Sequence, residues 1–194
     1  MKGSRRVLLW LVLALPAALM VGRFFSGQAL AMDLYHPSGE MSVRLMVLAL
    51  LPGPLADAFG PNRFLRVWLA IRRNLGVAAF GYAALHLAIY ALDMQQLSAM
   101  LAELPIPGIW TGWLALLTMA IPAAISFDAA MRRLGRRWKT LQRLVYPAAL
   151  LSLVHWLLLD WARGPALVHL APLVIAWLLR FTMRRGRFVS RSIA

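Results

Sequence analysis

The chain has 194 residues, of which 61% are hydrophobic and only 14% charged, with a mean hydropathy of +0.69 and a formal net charge of +14. Soluble domains run near half apolar and about a quarter charged, so a soluble enzyme or nucleic-acid-binding domain is excluded and an integral membrane protein remains. Without cysteine the chain has no disulfide, iron–sulfur cluster or thiolate-held metal, and any redox role needs a bound cofactor.

Uncharged windows at 7–22, 45–56, 74–92, 104–127, 144–159 and 164–179 predict six transmembrane helices. The first follows the basic start KGSRR, and ALAM at 29–32 resembles a small-residue cleavage site. Five further spans make a retained signal anchor simpler than a cleaved signal peptide. The second window is short and broken by LPGP at 51–54. Charge parity supports it: Arg63, Arg66, Arg72 and Arg73 share a side with Lys2, Arg5 and Arg6 only after an even number of crossings.

In the resulting topology Arg23, Arg44 and Arg163 fall near outer ends of spans, leaving 18 of the 21 basic residues toward the inner side. Asp33, Glu40, Asp93, Glu103 and Asp160 lie outside, and Asp57 and Asp128 toward the inside. The positive-inside rule therefore accounts for the charge and puts both termini in the cytoplasm. Residues 1–194 read as one all-α integral membrane domain, six transmembrane helices in a bundle.

Trp10, Trp110, Trp113, Trp138, Trp156 and Trp161 stand mostly near span ends, as interfacial belts require. Pro16 and Pro122 are tolerable kinks. Pro147 either starts the fifth helix or bends it below His155. The acidic residues are scattered, and no internal repeat, Gly-rich phosphate loop or Ser-His-Asp arrangement is legible.

His86 and His155 sit inside uncharged stretches, where an imidazole is costly and marks a functional site by default. His86 comes 13 residues after Arg73, and His155 comes 12 after Arg143. At ~1.5 Å per residue both lie roughly 18–20 Å from the inner edge, level with one another. Two level imidazoles suit the axial positions of a haem iron; the alternative is a pair of unrelated polar residues bridging helices. Three and seven residues back lie Ala83 and Ala79, and Ser152 and Ala148, small enough to admit a flat ring or close helix packing. His36, in DLYHPSG, reads as a solvated residue of an extracytoplasmic turn, and His169 likewise as a non-ligand. Arg44 reads as an interface anchor, with a haem propionate as the alternative partner.

Three segments carry a family resemblance: RRNLGVAAFGYAALHLAIYAL at 72–92, RRLGRRWKTLQRLVYPAALLSLVHWLL at 132–158 and HPSGEMSVRLMVLALLPGPL at 36–55. They resemble the haem-binding membrane subunits of the bacterial protein-methionine-sulfoxide reductase system (MsrQ/YedZ), in the ferric-reductase-like transmembrane superfamily. The resemblance implies a b-type cytochrome of the bacterial inner membrane, an electron-transfer subunit of an oxidoreductase rather than its catalytic part. It would pass electrons from a cytoplasmic flavin reductase or the quinol pool to a periplasmic molybdopterin enzyme that reduces methionine sulfoxide.

His86 and His155 match two haem b ligand positions of that family. A third family histidine, in an LHxxVY pattern, is replaced by Gln142 in LQRLVY. An inner relay, if present, is then a flavin such as FMN, a quinone, or a haem without histidine ligation. The basic loop 132–143 could supply its phosphate or propionate donors, or serve topology alone. Two other readings share these residues: a ferric-reductase-like carrier for another acceptor, and a haem-free transporter or assembly factor.

Overall fold

The computed structural model describes residues 3–160 and 163–192; Lys2 and Trp161 lie outside them. The long helices are α1 (Gly3–Phe25), α2 (Tyr35–Leu50), α4 (Arg63–Met94), α6 (Pro107–Ala124), α9 (Val145–Leu159) and α10 (Arg163–Ser192). Shorter ones are α3 (Pro52–Phe59), α5 (Leu97–Glu103), α7 (Asp128–Leu134) and α8 (Arg136–Gln142). No strand occurs among the described residues, and six helical stretches are long and apolar enough to cross a membrane. The six expected spans are therefore present.

The second span differs most from its sequence reading. It runs over Met32–Phe59, and the DLYHPSG segment, expected as a turn, is helical from Tyr35 onward. Pro37 permits this because its missing N–H falls in the first helical turn, where amides have no intrahelical partner. The LPGP break is a junction rather than an end. Leu51 N still donates to the Val47 carbonyl at 2.9 Å, and the Leu48 carbonyl, four residues before Pro52, accepts Trp68 Nε1–H at 2.8 Å. A neighbouring helix thus satisfies the group the proline frees.

In α1 a side chain enters the backbone ladder one residue past Pro16. The Tyr82 hydroxyl donates to the Leu13 carbonyl at 2.8 Å and accepts from Ala17 N at 3.0 Å, standing between two groups that are i and i+4 partners in a helix. Pro147 starts α9: Tyr146 N bonds the Arg143 carbonyl and Ala148 N the Leu144 carbonyl, both at 3.0 Å, so the helix below His155 is unbroken.

Two antiparallel pairs dominate the packing, α2 with α4 and α6 with α9, while α10 lies against α3 and α2. A core of Leu45, Met46, Leu75, Ala78, Ala79, Tyr82, Met119, Ala148 and Ala149 joins the pairs. Ala79 and Ala148 are fully buried there and serve close helix approach, while Ala83 and Ser152, one turn nearer the histidines, are half-buried. Ser42 Oγ donates to the Ala79 carbonyl at 2.8 Å, tying α2 to α4.

Alternation of the spans gives the bundle two unlike ends. One holds the N-termini of α2, α6 and α10 and the C-termini of α4 and α9. The other holds the basic segments, where Arg73 pairs with Asp128 at 2.7 Å and Arg180 with Asp57 at 2.9 Å. At this arginine end Gly135 takes φ +50° between α7 and α8. The turn lets α8 cap α6: Trp138 Nε1–H reaches the Ile125 carbonyl at 3.0 Å, and Gln142 Nε2–H the Pro122 carbonyl at 3.0 Å and Ser126 Oγ at 3.2 Å.

Candidate functional site

The structure brings His86 of α4 and His155 of α9 together, one from each helix pair. Their ring centroids are 6.1 Å apart and the planes nearly perpendicular, at 85°. Each ring is fixed by a backbone carbonyl: His155 Nδ1 lies 2.7 Å from the Gly108 carbonyl and His86 Nδ1 3.0 Å from the Tyr35 carbonyl. A carbonyl can only accept, so both Nδ1 atoms carry a proton, and in the neutral ring Nε2 then keeps the lone pair. That tautomer, held by a carbonyl at the other nitrogen, is how metal-binding imidazoles are oriented.

The two carbonyls belong to first turns, Tyr35 opening α2 and Gly108 sitting second in α6. Each is followed three residues later by a buried hydroxyl and four residues later by a glycine. Ser38 is 0% and Thr111 3% exposed. Ser38 Oγ lies 2.6 Å from the Leu34 carbonyl and 3.0 Å from that of Tyr35; Thr111 Oγ1 lies 2.7 Å from the Pro107 carbonyl and 2.8 Å from that of Gly108. A Cβ on Gly39 would stand 3.3 Å from His86 Nδ1, and one on Gly112 only 2.5 Å from His155 Nδ1. Both rings thus occupy space that a methyl group would fill. A carbonyl at i, a hydroxyl at i+3 and a glycine at i+4 form a cradle that the fold uses twice.

Sequence reasoning found the two histidines and missed the cradles. Their trace in the sequence is a hydroxyl–glycine dipeptide, Ser38-Gly39 and Thr111-Gly112, which Ser26-Gly27 shares without meeting a ring.

Among the described residues no group of three or more His, Asp or Glu side chains is placed to hold a bare metal ion. Two neutral imidazoles alone suit a macrocycle that supplies the other ligands of its iron. The spacing agrees: two metal–imidazole bonds of about 2 Å plus the ring radii give roughly 6 Å between centroids.

Beside the pair lies a polar cluster that the sequence did not assemble. Arg44 donates from Nη2 to Glu40 Oε1 at 2.7 Å and from Nε to His169 Nε2 at 2.9 Å, while His169 Nδ1–H is held by the Pro165 carbonyl at 2.6 Å. The guanidinium bridges the two groups, and the 3.1 Å approach of His169 Nε2 to Glu40 follows from that bridge. His36, in the first turn of α2, stands 3.7 Å from Glu40 and 3.4 Å from Asp160. Trp156 joins the group through Nε1–H to Asp160 Oδ2 at 3.0 Å and ring contacts to His36 and His169. Arg44, expected as an interface anchor, is exposed yet paired with two side chains of the same protein. On the other flank of His86, Tyr35 donates to Asp93 at 2.6 Å and Tyr90 to Glu103 at 2.7 Å. Gln142, at the arginine end, is committed to capping α6.

Residues 38–153 match the ferric reductase like transmembrane component model, a stretch that includes Ser38, Gly39, His86 and the whole Thr111 cradle, begins three residues after Tyr35 and ends two residues before His155. Relatives cover more. A protein-methionine-sulfoxide reductase heme-binding subunit MsrQ of Cronobacter sakazakii is 36% identical over 76% of this chain and 75% of its own length. Another of the same name from Pectobacterium atrosepticum is 34% identical over 90% of this chain and 85% of its own. A third, from Rhizobium meliloti, is 32% identical over 73% and 66%. The chain belongs to the MsrQ family of ferric-reductase-like membrane components. Its six apolar helices and this membership make it a multi-pass protein of the bacterial inner membrane.

Proposed function

We propose that His86 and His155 would together hold one haem b through their Nε2 atoms, and that the chain is the electron-carrying membrane subunit of a protein-methionine-sulfoxide reductase. The observation that carries the reading is the matched pair of imidazoles, each held through Nδ1 by a carbonyl and aimed by a glycine, with centroids 6.1 Å apart. The names of the relatives, which are heme-binding subunits of that system, support it.

Bound there, a haem supplies one-electron storage at its iron. The chain holds both Nδ1–H groups on carbonyls and packs an apolar core of α2, α4, α6 and α9 on the arginine side of the pair. The positive-inside pattern orients the arginine end and both termini toward the cytoplasm, so the histidine pair lies toward the periplasm. Electrons then enter from the arginine end, from a cytoplasmic flavin reductase or from quinol, and leave to a periplasmic molybdopterin-containing subunit. Any inner relay would be FMN, a quinone or a haem without histidine ligation, because Gln142 caps α6 and offers no imidazole.

The test is a visible spectrum of the full chain purified after haem-replete expression. A Soret band is expected in the wild type and its loss in both His86→Ala and His155→Ala. A wild type without the band, or full haem in both variants, rejects the assignment.

A further inference from the structure

Nothing in the haem reading explains why each histidine carbonyl is shadowed by a buried hydroxyl. Ser38 and Thr111 are, with Ser42, the buried polar side chains among the described residues, and Ser42 is spent on the α2–α4 contact. The other two stand at the same position of the two cradles. A helix does not need them: the carbonyls they touch lie in first turns and are acceptors of the helical ladder already. Their oxygens instead sit where the imidazole hydrogen bonds end.

Resting on the haem assignment, we propose that Thr111 and Ser38 are positioning residues that set the donor strength of His155 and His86. A carbonyl oxygen has two lone pairs. At Gly108 one faces His155 Nδ1–H at 2.7 Å while the Thr111 hydroxyl, its proton divided between Pro107 and Gly108, draws on the same oxygen from 2.8 Å. That load weakens the bond the carbonyl makes to the imidazole. A weaker Nδ1–H bond leaves less electron density on Nε2, and hence a poorer donor to whatever Nε2 binds.

His86 is loaded differently. The Ser38 hydroxyl, its proton divided between Leu34 at 2.6 Å and Tyr35 at 3.0 Å, draws on the carbonyl that takes Nδ1–H at 3.0 Å, and Ser38 Oγ itself stands 3.2 Å from Nδ1. The two ligands are therefore unequal, with His155 the stronger donor. The hydroxyls raise the reduction potential of the site above the value two unshared carbonyls would give, since strong imidazole donors favour oxidised iron.

The experiment is a spectroscopic redox titration of purified full-length wild type, Thr111→Val, Thr111→Ser and Ser38→Ala, with haem per polypeptide measured in each. Valine keeps the shape of threonine and removes only the hydroxyl. Thr111→Val is expected to keep its haem and titrate at lower potential, Thr111→Ser to return to the wild-type value, and Ser38→Ala with Thr111→Val to fall further than either alone. Should Thr111→Val fail to fold, Ser38→Ala carries the same expectation. An unchanged potential in a haem-loaded Thr111→Val, or equal shifts in the serine and valine variants, overturns the proposal and leaves the ligand assignment standing. A wild type that binds no haem overturns both.

Discussion

A methyl group at position 112 would stand 2.5 Å from Nδ1 and 2.6 Å from Cε1 of His155, a separation that real Cβ atoms do not keep. The ring cannot yield without losing its 2.7 Å bond to the Gly108 carbonyl, because both contacts involve the same nitrogen. Gly112→Ala is therefore expected to cost about 10–100-fold in haem affinity, the range for lost support of a metal ligand. At Gly39 the corresponding approach to His86 is 3.3–3.4 Å, which a shift of a few tenths of an ångström relieves. Gly39→Ala should lose far less. Haem retained through dilution in detergent ranks the two; equal losses would mean that the glycines do not aim the rings. Neither glycine could be singled out from the sequence, where each is one of 13. Only its distance to an imidazole on another helix gives it meaning.

Among the elements, the proline-bearing helices carry side-chain ties to their neighbours. Pro52 frees the Leu48 carbonyl for Trp68, and next to Pro16 the hydroxyl of Tyr82, one turn before His86 on α4, stands between Leu13 O and Ala17 N. No residue of α1 is buried, so the Tyr82 bridge is its main polar attachment to the bundle. Tyr82→Phe keeps the packing of the ring but removes both hydrogen bonds that tie α1 to α4, so Leu13 O and Ala17 N must close on each other. It should cost about 1–2 kcal/mol, read as a lower midpoint of thermal unfolding in detergent, whereas an unchanged midpoint would make the bridge incidental. The Trp138 and Gln142 caps fasten α8 to the end of α6 by the same means, through donors offered to helix-terminal carbonyls. A glutamine at 142 is legible as a departure from a family pattern; that its amide is already spent on α6 is visible only in the fold.

Over the whole molecule the charges separate by end, and the arginine end is held by ion pairs as well as by topology. Arg73 beside Asp128, by hydrogen bond and by charge, holds that carboxyl below the usual carboxylate range, and Arg132 and Arg6 add to the effect. A carboxyl lowered on folding contributes stability that is complete above its unfolded value and disappears as pH falls through its folded one. Acidification into that window should therefore loosen the α4–α7 junction, and Asp128→Asn should remove this part of the acid sensitivity. Hydrogen exchange at the junction checks it, and identical acid profiles in both proteins would discount the pair. Composition determined the membrane class without help from tertiary structure, because 61% hydrophobic content and six apolar windows leave no other solvent for the chain. Helical rise and charge placement likewise set His86 and His155 level with each other. The sequence could not decide that the second span begins at Met32, because the first-turn tolerance that lets Pro37 stand in a helix also makes HPSG look like a turn. Nor could it decide that the histidines face one another, or what holds them. Those depend on α2 packing on α4 and α6 on α9, which brings the carbonyls of Tyr35 and Gly108 to rings 51 and 47 residues away along the chain. Periodicity fixes what each helix buries, but a hydrogen bond across helices exists only once their register is set.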